Sequence, residues 1–126
     1  MGANGILTVP GPIINNFSSS SILRHFSDVA GSYLGNSATG IIKIKLPNTT
    51  SNMVMMTLRI MLYEYNTDSG KEIIVSGYTY QDGNWYNYRA SAIGGIMSKA
   101  IRLAYDGTNF CVLIGATNSS WPYTTV

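Results

Sequence analysis

The stretch from Met53 to Tyr65 constrains the fold more than any other part of the chain. It is mostly apolar, and it lacks the polar stripe that a surface helix needs. Wound as a helix, it would set Arg59 among Met55, Met56, Leu62 and Tyr63. Laid out as a strand, it puts Val54, Met56, Leu58, Ile60 and Leu62 on one face and Thr57 and Arg59 on the other. A strand therefore sorts the residues where a helix cannot. Upstream, Ile42-Lys43-Ile44-Lys45-Leu46 alternates apolar with charged, as a half-exposed strand does, and Pro47-Asn48 ends it.

Three hairpins are expected after Met53. The first turns at Asn66-Thr67-Asp68-Ser69-Gly70. Facing Tyr65 with Lys71 would set Glu64 against Glu72, and like charges across a ladder repel. A slip of one residue pairs Glu64 with Lys71 and Leu62 with Ile73, which is the preferred register. The second hairpin turns at Asp82-Gly83, a two-residue signal that pairs Tyr80 with Trp85 and Val75 with Ala90. The third turns near Asp106-Gly107. Two registers are open there, and both set Ile101, Leu103 and Tyr105 against Phe110 or Val112. Short strands with regular turn signals predict an all-β, antiparallel β-sandwich or jelly-roll-like domain over residues 40–126.

Residues 1–39 read differently. Val9-Pro10-Gly11-Pro12 and the serine run Ser18 to Ser21 are turn and linker chemistry, with Ile13, Ile14 and Phe17 between them. An extended lead-in or linker is expected, with a short strand or helical turn between Ile22 and Leu34.

Composition narrows the classes further. A chain of 126 residues holds one domain core. Only 11% of residues are charged, against about 25% in ordinary domains, while 45% are hydrophobic. That balance excludes disorder and suits an extracellular module, a virion part or a subunit with much covered surface. The net charge of +2, from scattered basic residues, gives no electrostatic footprint for nucleic acid. No positively charged n-region with an apolar core opens the sequence, so no signal peptide is expected. No apolar stretch reaches the roughly 18 residues of a membrane span, so no membrane insertion is expected. Cys111 is the single cysteine, in the run Phe110-Cys111-Val112-Leu113-Ile114, and reads as a small buried hydrophobe.

Catalytic chemistry is hard to assemble from these residues, and the chain is expected not to be an enzyme. Asp68, Asp82 and Asp106 fall in predicted turns, where an aspartate caps its own backbone. A glycosidase needs two facing carboxylates, and only Glu64 with Glu72 remain, the first neutralised by Lys71. His25, the only histidine, has Asp28 and Ser18 to Ser21 nearby, but no nucleophile-elbow motif surrounds a serine. Gly94-Gly95 lacks the spacing and lysine of a phosphate loop. Neither a metal site nor a cofactor is expected.

The aromatic residues carry more information. With Ile73, Val75, Ala90 and Ala92 toward the core, alternation gathers Tyr78, Tyr80, Trp85, Asn87 and Arg89 on the opposite face. Aromatic rings flanked by Asn and Arg can stack on sugar rings or anchor a protein. Large aromatics are usually packed, so cover of this face by the second sheet or by another subunit is the favoured reading. Tyr86 and Tyr88 then line the core side, and Trp121 and Tyr123 bracket Pro122 to plug one end of the sandwich.

Gly40-Ile41-Ile42-Lys43-Ile44-Lys45-Leu46-Pro47, the long apolar strand, Val75-Ser76-Gly77-Tyr78-Thr79-Tyr80, Trp85-Tyr86 and Tyr105-Asp106-Gly107 together resemble β-rich modules of bacteriophage tail fibres and related virion proteins. The resemblance runs from Gly40 to Trp121 and leaves Met1 to Ser21 unmatched. It implies a place in the virion, adhesion to the host surface or fibre assembly, and commonly a homotrimer. The partners implied are a bacterial surface glycan or other virion proteins. No catalytic residues carry over. A decoration or collar subunit without a receptor, and a carbohydrate-binding module of a secreted or cell-surface protein, are the alternatives.

Overall fold

The computed structural model describes residues 6–8, 13–18, 21–25, 31–35, 37–65, 70–94, 99–121 and 123–126. These residues form strands β1 (Ile6–Thr8), β2 (Ile13–Ser18), β3 (Ser21–His25), β4 (Tyr33–Leu34), β5 (Ile42–Lys45), β6 (Val54–Glu64), β7 (Gly70–Thr79), β8 (Trp85–Gly94), β9 (Ile101–Tyr105), β10 (Phe110–Ile114) and β11 (Thr124–Thr125). One sheet has the order β1-β5-β10-β9 and the other β4-β11-β6-β7-β8. Among the described residues, β2 and β3 form a separate two-stranded sheet. The fold is the expected all-β sandwich, antiparallel except where β1 runs parallel to β5 at a sheet edge. From the lead-in, β1 joins the first sheet and β4 the second.

The core follows the alternation read from sequence. Ile42 and Ile44 of β5 with Phe110, Val112 and Ile114 of β10 meet Ile60 and Leu62 of β6, Ile73 and Val75 of β7, and Trp85. Trp121 is fully buried, and its Nε1–H donates to the Gly40 carbonyl at 2.7 Å, so it closes one end as expected. Tyr123 stays exposed, and Pro122 lies outside the described residues. Along β6 the even positions turn inward and the odd ones outward, as a half-buried strand requires. Ile60→Ala should therefore cost about 2–5 kcal/mol. Arg59→Ala, which removes only a surface ion pair with Glu72, should cost far less. Urea unfolding of the two variants checks this; equal losses would contradict the assignment of faces.

Two registers differ from the sequence reading. In the first hairpin Leu62 faces Lys71 and Ile60 faces Ile73, two residues away from the preferred pairing. A two-residue shift leaves every side chain on its face, so the core was unaffected. Glu64 instead faces Thr124 of β11, yet Lys71 Nζ still reaches Glu64 Oε2 diagonally at 3.0 Å. The expected neutralisation of Glu64 thus occurs without direct pairing.

In the second hairpin the turn is longer by one residue. Gly83 N–H donates to the Tyr80 carbonyl and Tyr80 N–H to the Asn84 carbonyl, both at 3.1 Å, so Gln81, Asp82 and Gly83 form the connection. Gly83 takes the left-handed conformation (φ 82°) that closes such three-residue turns. Trp85 consequently faces Thr79, not Tyr80. A β-bulge follows, in which Asn87 and Tyr88 oppose Gly77, and beyond it Val75 faces Ala90 as expected. Asn87 is left-handed (φ 48°), as the first residue of such a bulge often is. Gly77 is needed opposite it: a Cβ there would lie 2.9 Å from the Trp85 ring and 3.1 Å from Tyr88 Cβ. The third hairpin pairs Tyr105 with Phe110, Leu103 with Val112 and Ile101 with Ile114.

Candidate functional site

The outer face of the five-stranded sheet can be read in rows across β6, β7 and β8. Met55, Tyr78 and Tyr86 form the row nearest the Asp82-Gly83 turn, and Thr57, Ser76 and Arg89 the next. Arg59, Ile74 and Ser91 follow, then Met61, Glu72 and Ile93. The last row crosses to β4 through Tyr63, Thr125 and Tyr33. The face thus has an aromatic end at the turn, a polar waist and a second apolar end.

The turn end is the candidate site. Tyr80 sits between its neighbours, with ring centroids 5.9 Å from Tyr78 and 6.0 Å from Tyr86, the latter edge to face. The Tyr86 hydroxyl donates to Asp82 Oδ2 at 2.5 Å, and Asp82 Oδ1 accepts the Asn84 N–H at 3.0 Å. The bond from Tyr86 holds the Asp82 carboxyl below its ordinary range and pushes the Tyr86 phenol up. Both residues are therefore fixed in place while still open to solvent. A tyrosine cluster on a sheet face, with Tyr86 exposed and Tyr78 and Tyr80 half-buried, offers apolar ring surface, with Asp82 as an acceptor and Arg89 as a donor one row away.

Of the five residues assembled from sequence, Tyr78, Tyr80 and Arg89 do share this face. Trp85 does not, and this corrects the sequence reading. It is 8% exposed, packs edge to face on Phe110 at 5.9 Å, and donates from Nε1 to the Ala104 carbonyl at 3.0 Å. Asn87 sits in the bulge and not in the regular alternation. Tyr86, placed toward the core by sequence, is instead the exposed third ring. Tyr88 lies on the inner side, against Gly77, but stays exposed at the open edge of the sandwich. The three-residue turn moved Trp85 and Tyr86 to opposite faces from those expected. The overlooked signal was Gly77: a glycine inside a strand marks a bulge, and Asn87 opposite it tolerates the left-handed backbone a bulge needs.

The carboxylates weighed for catalysis are separated. Glu64 is buried on the inner face of its sheet, whereas Glu72 lies on the outer face and pairs with Arg59. Asp106 accepts the backbone N–H groups of Asn109 and Thr108 and pairs with Lys43 at 2.7 Å. These contacts hold its carboxyl well below the usual range, consistent with a structural turn role. Cys111 is buried, and burial pushes its thiol up. Among the described residues no three His, Cys, Asp or Glu side chains gather as a metal would need, and no helix is long and apolar enough to cross a membrane. Asp28, Asp68, Ser19, Ser20 and Gly95 lie outside the described residues. Comparison with protein-family models, with curated proteins and with solved structures finds no match to this chain.

Proposed function

We propose that this chain is a non-enzymatic binding domain of a virion fibre, and that its tyrosine end adheres to glycan on a bacterial surface. One observation carries the reading: Tyr78, Tyr80 and Tyr86 cluster on the solvent face of a sheet, with Asp82 and Arg89 beside them. Sugar rings present apolar C–H faces and hydroxyl edges. Tyrosine faces meet the first, and a carboxylate with a guanidinium meets the second. The cluster is pre-organised by the Tyr86–Asp82 bond, so little ordering entropy opposes binding.

The test is an array of purified bacterial lipopolysaccharides and capsular polysaccharides, probed with the full chain. Retention on at least one polysaccharide is expected. Tyr86→Ala should weaken it tenfold or more, the loss of one anchor worth about 1.4 kcal/mol or above. Its melting temperature should hardly move, because surface changes are usually small. Failure to bind any polysaccharide, or full binding by Tyr86→Ala, would overturn the reading.

A further inference from the structure

The opposite end of the same sheet face is built differently. Tyr33, Met61, Tyr63, Tyr65 and Tyr123 gather there, none of them charged, while Glu72 of β7 stands between Met61 and Ile93. Met61 is 73% exposed, Tyr65 65% and Tyr33 62%. Tyr65 and Tyr123 meet edge to face at 5.8 Å, which joins the strand end of β6 to β11. Aromatic side chains carry about 150–250 Å² each, so the four tyrosines, 41–65% uncovered, together with Met61 leave on the order of 500 Å² of largely apolar surface. That is toward the upper end of what monomers expose and more than half of the ~800 Å² per partner of a standard interface. Tyrosine and methionine are enriched in interface cores, and charge is depleted there. Tyr123 adds an independent sign: it holds a left-handed backbone (φ 50°), uncommon for a bulky residue, and its ring still faces solvent.

We propose that this tyrosine–methionine end docks on the same surface of a second copy of the chain, about a two-fold axis. A two-fold requires a self-complementary patch. The five side chains satisfy that by being uncharged, and among the described residues Arg59 and Glu72, which adjoin Met61, are one of each sign and already paired. A two-fold can therefore bring each Arg59 toward the partner's Glu72 without forcing like charges together. From Met55 to Met61 and Tyr63 the strand spans about 20–26 Å at ~3.3 Å per residue, so the turn end stays open in the pair. The proposal stands independently of glycan binding.

Light scattering and sedimentation on the full chain, from about 1 to 100 μM, test it. Wild type should pass from 13.7 kDa to about twice that mass. Met61→Glu should remain at the monomer mass across the range, with the melting temperature of dilute wild type, and Met61→Leu should associate like wild type. Tyr33→Glu, at the sheet edge, provides the same reading if Met61→Glu does not fold. Glycan binding measured on monomeric Met61→Glu separates this proposal from the function proposed above, since it should persist there. Wild type that stays monomeric, a trimer mass, or charge variants that associate like wild type would each overturn the two-fold.

Discussion

Trp85→Ala is expected to cost about 3–5 kcal/mol, a large share of the 5–15 kcal/mol by which domains are stable. The indole is buried as part of the core cluster. Its edge meets the Phe110 ring, its Nε1–H satisfies the Ala104 carbonyl on the other sheet, and its face covers the space Gly77 leaves. Truncation opens a cavity between the sheets and strips a hydrogen bond that ties β8 to β9. Trp85→Phe keeps most of the burial and loses the donor, so it should cost less. The urea midpoint measures both. The location of Trp85 adds a second expected result: whatever fraction of Trp85→Ala remains folded should bind polysaccharide like wild type, because the tyrosine end is on the other face.

Glu64→Gln is expected to be comparably damaging, about 3–5 kcal/mol. Glu64 is buried and accepts from Lys71 Nζ at 3.0 Å and Lys99 Nζ at 2.7 Å. The Lys71 side chain is wholly enclosed. The Lys99 ammonium also lies 4.5 Å from the Trp121 ring centroid, which gives it a second favourable contact. Neutralising Glu64 leaves two ammonium groups facing each other with no counter-charge. The wild-type pH dependence follows from the same cluster. Burial alone would raise the Glu64 carboxyl, but the hydrogen bonds from Lys99 and Lys71 outweigh it and hold it below its ordinary value of 4.5. A lowered folded-state value means stability that is fully present above pH 4.5 and is lost as pH falls below it through the folded value. Acid titration of the unfolding free energy should show this loss in wild type and a shallower one in Glu64→Gln.

Sequence made the fold legible where the physics is periodic. The alternation in β6 assigned its faces correctly, and the alternation survived a two-residue error in the first hairpin because such a slip preserves parity. The site was only half legible, since parity there depends on turn length. Asp82-Gly83 is compatible with two-residue and three-residue turns alike, and one residue decides whether Trp85 or Tyr86 joins Tyr78 and Tyr80. The Glu64–Lys71–Lys99 cluster was visible only in part, because Lys99 is 35 positions from Glu64 and no local pattern links them. The second apolar end was not legible at all. It is assembled from β4, β6 and β11, and only the sheet order brings these together.

Heteronuclear NMR of the full chain, titrated with oligosaccharides cut from a polysaccharide retained on the array, locates the binding surface residue by residue. The largest shifts should fall on Tyr78, Tyr80, Asp82, Tyr86 and Arg89, with Trp85 Nε1–H little changed behind the sheet. Shifts concentrated on β9 and β10, or none at saturating oligosaccharide, would contradict binding by the tyrosine end.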